Sequence, residues 1–238
     1  MANKPVGRTL RSLGFTALLA TGAALAGPAS APDTIAQRML ACTACHGKEG
    51  RASSEGYYPR LAGKPAGYLY NQLLNFRDGR RRGGRMAGLV EHLNDAYLHE
   101  MAAYFAGLDL PYPAAPPPLG DAATLARGEQ LVRRGDAARE LPACQACHGE
   151  TLMGMQPATP GLLALPRDYL ISQIGRWQVG VRRAQAPDCM AQVAQRLRPE
   201  DLAAVASWLA AQPVPTGAKP AAAPAGPLPL RCGPEAAR

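Results

Sequence analysis

Large aromatic side chains are scarce in this chain. Its 238 residues include three Phe and two Trp, and aromatics of all kinds make up 5%. A core drawn from so few large side chains is thin, so apolar bulk must come from something other than the chain itself. Long apolar runs are scarce too. The stretch from Leu13 to Ala26 is the one candidate, and it falls short of the roughly 20 residues that a bilayer span needs. Lys4, Arg8 and Arg11 precede it and small residues end it, the pattern of a secretory signal over residues 1–26, cleaved after Ala26 or after Ala31. Signatures of nucleic-acid binding are missing as well. The formal charge of +8 includes the three signal cations, without which 23 basic residues face 18 acidic ones, a net of +5. No aromatic-interleaved basic strand accompanies that charge, which argues against a nucleic-acid partner.

Cysteine is sparse but patterned. Four of the six cysteines form two copies of Cys-x-x-Cys-His, Cys42-Thr43-Ala44-Cys45-His46 and Cys144-Gln145-Ala146-Cys147-His148, 102 residues apart. On a helix, residues i, i+3 and i+4 share one stripe, so a single turn can present two thiols and one imidazole together. That arrangement is the attachment motif of c-type haem: each sulfur adds to a vinyl group as a thioether, and the histidine binds the iron. Zinc ribbons place their cysteine pairs about 15 to 20 residues apart, and a thioredoxin-like site does not need the histidine twice. Two covalently attached haem c groups follow, through Cys42, Cys45, Cys144 and Cys147, with His46 and His148 as iron ligands. Porphyrin supplies the missing apolar bulk, and the chain without it is expected to fold poorly. Export to an oxidising compartment, the bacterial periplasm, agrees with this chemistry.

The two halves resemble each other beyond the haem motifs. Pro59-Arg60-Leu61 followed by Tyr68-Leu69-Tyr70-Asn71-Gln72-Leu73 and Phe76 matches Pro160-Gly161-Leu162 followed by Tyr169-Leu170-Ile171-Ser172-Gln173-Ile174 and Trp177. Arginines come next in both, at Arg80, Arg81 and Arg82 and at Arg182 and Arg183. Each half closes on a helical pattern, Leu98, Met101, Phe105 and Leu108 in one and Leu202, Val205 and Leu209 in the other, with N-cap chemistry just before it. The expected fold is all-α: a first cytochrome c-like domain over 27–110, a Pro-rich semi-rigid linker over 111–120, a second domain over 121–213, and an irregular Pro/Ala-rich tail over 214–238.

The sixth iron ligand decides between electron transfer and catalysis. Met86 follows His46 by 40 residues and Met190 follows His148 by 42, each between the Tyr-Leu helix and the terminal helix of its half. That equivalence nominates both. Met101 lies on the apolar stripe of its helix and reads as core, Met39, Met153 and Met155 have no counterparts, and His92 and His99 are the rivals at the first haem. His/Met ligation leaves no open position for oxygen or peroxide, so the reading is an electron carrier, not an enzyme.

Taken together, the Pro-Arg-Leu-Ala-Gly segment, the Tyr-Leu-x-x-Gln-Leu helix with Phe76, the Arg-rich stretch, Met86 and the helix around Tyr104 resemble the dihaem cytochrome c4 family, tandem class I cytochrome c domains. The second half matches more loosely, with Trp177 as the aromatic and Cys189 directly before Met190. The resemblance implies a periplasmic shuttle in a respiratory chain. Its donor is a cytochrome bc complex or another dehydrogenase and its acceptor a terminal oxidase or peroxidase; a peripheral position on the inner membrane is compatible. Cys189 and Cys232 are left over. A disulfide pinning the tail across the second haem loop is one reading; a thiolate at the second iron, as in thiosulfate dehydrogenase-like enzymes, is the other. A cytochrome subunit of a larger dehydrogenase is a further alternative. The run Arg77, Arg80, Arg81, Arg82 and Arg85 suits haem propionates or a docking patch for an acidic partner.

Overall fold

Helices dominate, and their boundaries follow local capping chemistry. A computed structural model describes residues 32–53, 56–224 and 226–233, together with Met1 and Ala2. The signal assigned to 1–26 therefore lies, beyond its first two residues, outside the described residues. In the first half, α1 (Ile35–Arg38) starts where the Thr34 hydroxyl accepts from the Gln37 amide, and α2 (Leu40–His46) continues through the first haem motif. α3 (Ala66–Arg77) carries the Tyr-Leu pattern, α4 (Met86–Val90) is a single turn, and α5 (Asp95–Ala106) is capped by the Asn94 side chain, which accepts from the Tyr97 amide at 2.9 Å. Met39, Leu69, Val90, Leu98, Met101 and Phe105 form the first core.

The second half repeats the plan with additions. α6 (Ala122–Arg134) is capped by Asp121, and α7 (Gln145–His148) carries the second haem motif. α8 (Arg167–Gln178) is the Tyr-Leu counterpart, α9 (Cys189–Arg196) is capped by Asp188, and α10 (Pro199–Ala210) closes the half. α10 begins with Pro199 in its first turn and no side-chain cap, so the expected cap chemistry is met by proline's fixed φ instead. Leu131, Val132, Leu170, Val205, Trp208 and Leu209 belong to the second core. α6 crosses α10 at Gly128, where a Cβ would stand 2.3 Å from the Ala204 carbonyl oxygen. A two-residue hairpin, β1 (Gly154–Met155) with β2 (Thr159–Pro160), is the sole sheet among the described residues.

The methionines nominated between the Tyr-Leu and terminal helices lie in short helices of their own: Met86 opens α4 and Met190 sits in the first turn of α9. The linker is docked at its start, because buried Arg60 donates to the carbonyls of Leu110 and Pro111 and stacks on Tyr112, 4.0 Å from ring centroid to guanidinium. The tail is irregular but tied. Ala221 exchanges two 2.8 Å backbone hydrogen bonds with Gly154 and Gln156, and Cys232 is disulfide-bonded to Cys189. Asp33–Arg238 behaves as one compact unit holding two separate cores.

Candidate haem sites and the seam between them

Each haem motif is presented by a helical turn that ends on a left-handed glycine. Gly47 (φ +74) and Gly149 (φ +82) follow the two histidines, and a Cβ at Gly47 would fall 2.1 Å from the Ala52 carbonyl oxygen, so the chain can turn away there only without a side chain. His46 and His148 are both buried. The His46 Nδ1 lies 2.9 Å from the Pro59 carbonyl oxygen and the His148 Nδ1 lies 2.7 Å from that of Pro160. A carbonyl can only accept, so each Nδ1 carries the proton and each Nε2 keeps its lone pair for iron. Burial pushes both imidazoles below the ordinary histidine range, which keeps them neutral and able to ligate. Burial also raises the thiols of Cys42 and Cys147 and takes Cys144 up to about 12. These are protonated sulfurs, disposed for attachment and not for free thiolate chemistry.

The remaining nominated residues separate clearly. Met86 and Met190 are partly buried, Met86 against the first core. His92 is exposed and pairs with Glu91, while His99 is exposed and meets Tyr70 edge-on. Met39, Met101, Met153 and Met155 are all buried in the two cores or their margins. The arginine run divides by role. Arg77 pairs with Asp78 and Asp95, Arg80 pairs with Asp78, Arg82 and Arg85 face solvent, and Arg81 is buried.

Arg81 leads to a feature that reading along the chain missed. The halves meet in a seam with near twofold symmetry, at whose centre Arg81 faces its own counterpart Arg182, 101 positions away. The Arg82 amide donates to the Val181 carbonyl and the Arg183 amide to the Arg80 carbonyl, both at 2.8 Å, around the bridge between Arg81 and Arg182. Arg81 donates to the Oε1 atoms of Gln72 (2.9 Å) and Gln173 (2.6 Å), and Arg182 donates to Gln173 (2.9 Å) and Gln72 (3.0 Å). Each guanidinium also lies over the aromatic ring of its own half, Arg81 on Phe76 and Arg182 on Trp177. Equal spacing of Gln72 to Arg81 and Gln173 to Arg182 was the available sequence signal.

Two guanidiniums buried side by side are expensive without an anion. Burial, together with the Arg81 charge, brings the Arg182 guanidinium down to about 10. Among the described residues no carboxylate forms an ion pair with Arg81, Arg182 or the buried Lys64. Haem brings its own carboxylates. The thiol pairs, the oriented imidazoles and the two uncompensated guanidiniums, Arg81 and Arg182, fit such a cofactor in both halves.

No protein-family model matches the chain. Similar proteins are nevertheless clear. The chain is 40% identical over 192 residues, 81% of its length and 86% of the relative's, to a thiosulfate dehydrogenase electron acceptor from Thiomonas intermedia. It is 34% identical over 210 residues to cytochrome c4 of Pseudomonas aeruginosa, covering 87% of this chain and 98% of that one. The crystal structure of reduced cytochrome c4 from Pseudomonas stutzeri superposes with a TM-score of 0.64 at 28% identity, over 74% of this chain and 95% of that one. Sequence repeat, paired haem motifs and this similarity agree: the chain belongs to the dihaem cytochrome c4 family, electron-transfer proteins with two covalently bound haem c groups and two tandem cytochrome c domains.

Proposed function

We propose that this chain is a periplasmic electron shuttle that performs no catalysis of its own, with His46 and Met86 completing one iron and His148 and Met190 the other. The observation that carries the reading is the matched presentation of the two imidazoles, each buried and each held through Nδ1 by a proline carbonyl of its own half. Bound haem supplies a one-electron Fe(III)/Fe(II) couple in each half. Around it the chain's residues fix geometry: the carbonyls of Pro59 and Pro160 set imidazole rotation, the cores exclude water, and the seam holds the halves in register. A site fixed in this way reorganises little on electron exchange. No helix among the described residues is long and apolar enough to cross a membrane.

A sulfur-oxidising dehydrogenase is the favoured donor, because a relative at 40% identity is named for accepting electrons from thiosulfate dehydrogenase. A cytochrome bc complex as donor and a terminal oxidase or peroxidase as acceptor belong to the wider family reading. The alternative in which this chain is itself the sulfur enzyme needed Cys189 as a thiolate, and that sulfur is engaged with Cys232.

The test combines haem counting by pyridine haemochrome with the near-infrared sulfur-to-iron band of the ferric protein, followed by stopped-flow mixing with a thiosulfate dehydrogenase and thiosulfate. Two haems, a methionine band for each, and reduction only when the dehydrogenase is present support the shuttle. Reduction by thiosulfate alone with turnover moves the assignment to the enzyme.

A further inference from the structure

We propose that Lys64, a side chain of the first half, raises the reduction potential of the second haem. The proposal rests on His148 being the ligand of that haem. Gly63 (φ +73) turns the chain after Ala62, and Pro65 then caps α3, leaving Lys64 between them at the seam. Its side chain is buried at 5% exposure, and its Nζ donates to the Gly161 carbonyl oxygen at 2.9 Å. Gly161 directly follows Pro160, whose carbonyl accepts from His148 Nδ1 at 2.7 Å. One peptide therefore separates the ammonium from the group that orients the second imidazole. A neighbouring contact closes the same spot, the Gly67 amide donating to the Pro157 carbonyl at 3.2 Å.

Arg60 of its own half is the charged group that acts on Lys64, the neutral His148 imidazole lies across the seam, and no carboxylate among the described residues forms an ion pair with Lys64. Its positive charge is thus poorly compensated and poorly screened. Adding an electron to an iron held by His148 is favoured by a buried cation beside that imidazole. This favours the ferrous state. The exchange involves one electron supplied by a redox partner, with no bond made or broken.

The two imidazoles meet different cations. The 101-residue offset pairs Gly63 with Ala164, which shares its positive φ, and Pro65 with Pro166, which caps α8 as Pro65 caps α3. The place of Lys64 in the second half is therefore taken by Leu165, and the cation that acts on His46 is Arg81 of its own half, held between Gln72 and Gln173. A unit charge acting over roughly 10 Å through a protein interior shifts an equilibrium by about tenfold.

Spectroelectrochemical titration of the holoprotein tests this with K64Q, K64M and K64R. K64Q and K64M should each lower one of two one-electron waves by about tenfold in equilibrium constant, about 59 mV, leave the other within about threefold, and keep two haems per chain. K64R should restore the wave, since it keeps the charge. M86H and M190H label the waves by displacing that of their own haem. Unmoved waves in both neutral variants, equal movement of both waves, a shift confined to the M86H-labelled wave, or no rescue by K64R would each overturn the proposal. Failure of the methionine variants to displace any wave would instead count against the axial assignment, and the haem whose methyl NMR signals move in K64Q then identifies the shifted wave: the second haem supports the proposal and the first overturns it.

Discussion

Removing the Cys189–Cys232 bond is expected to weaken the second half selectively and to loosen Met190. The bond closes a loop of sequence separation 43. In the chain-entropy description, opening a loop of that size in the unfolded state is worth about 4 kcal/mol, and the measured effect commonly falls nearer 2 to 4. The loop holds more than slack chain. It runs from the residue before Met190 through α9 and α10, back along the Ala221 contact with Gly154 and Gln156, to a point where Gly233 packs on the Gln185 carbonyl. In C189S/C232S the Ala221 contact survives, so a loss of about 3 kcal/mol is the working figure. With a urea dependence of about 2 kcal/mol per molar, the unfolding midpoint falls by about 1.5 M. Both tryptophans, Trp177 and Trp208, lie in the second half, so their fluorescence reports that half alone. The near-infrared methionine band should decrease by up to half over the same range, the first haem keeping its share. An unchanged midpoint and an undiminished band, at unchanged slope, would refute the account of the tail as a strap on the second site.

Three further outcomes follow from particular contacts. Lys64 is held by burial, with Arg60 adding, to a pKa of about 8. Raising pH through 8 should therefore remove its charge and lower the potential of the second haem, read from titrations at pH 7 and pH 9. By linkage, stability rises between about pH 8 and the unfolded value near 10.5, because the cost of the buried cation is full below 8. Gln72→Leu removes the oxygen that accepts from both Arg81 and Arg182. It should cost about 3 kcal/mol and speed hydrogen exchange of the Arg82 and Arg183 amides, and unchanged protection would show that the seam does not depend on it. Gly128→Val places a Cβ where Ala204 and Trp208 already stand, 2.3 and 2.8 Å away. A loss of about 1 to 3 kcal/mol in the tryptophan-detected transition is expected, and a neutral result would mean that α6 can slide on α10.

Much of the architecture was legible because haem attachment and helix formation are local. Cys42, Cys45 and His46 need one helical turn to share a stripe, and a turn is specified by neighbours in sequence. α3, α5, α8 and α10 likewise follow apolar periodicity, and Asn94 caps where its side chain reaches its own helix. The short helices at Met86 and Met190 were not legible, because α4 has five residues and helices that short depend on packing for stability. The arginine run was read as one patch, yet Arg77 and Arg80 pair locally while Arg81 disappears into the seam.

Sequence alone determined that this chain has two haem-binding halves of one helical plan, with cysteines left over near the second methionine, since motif, spacing and repeat are properties of order along the chain. Tertiary structure decided what faces what. The Pro59 and Pro160 carbonyls on the imidazoles, the paired Gln and Arg side chains across the seam, and Lys64 of one half on the Gly161 carbonyl of the other all join residues from separate segments. Burial of those cations arises only when the two halves close on each other.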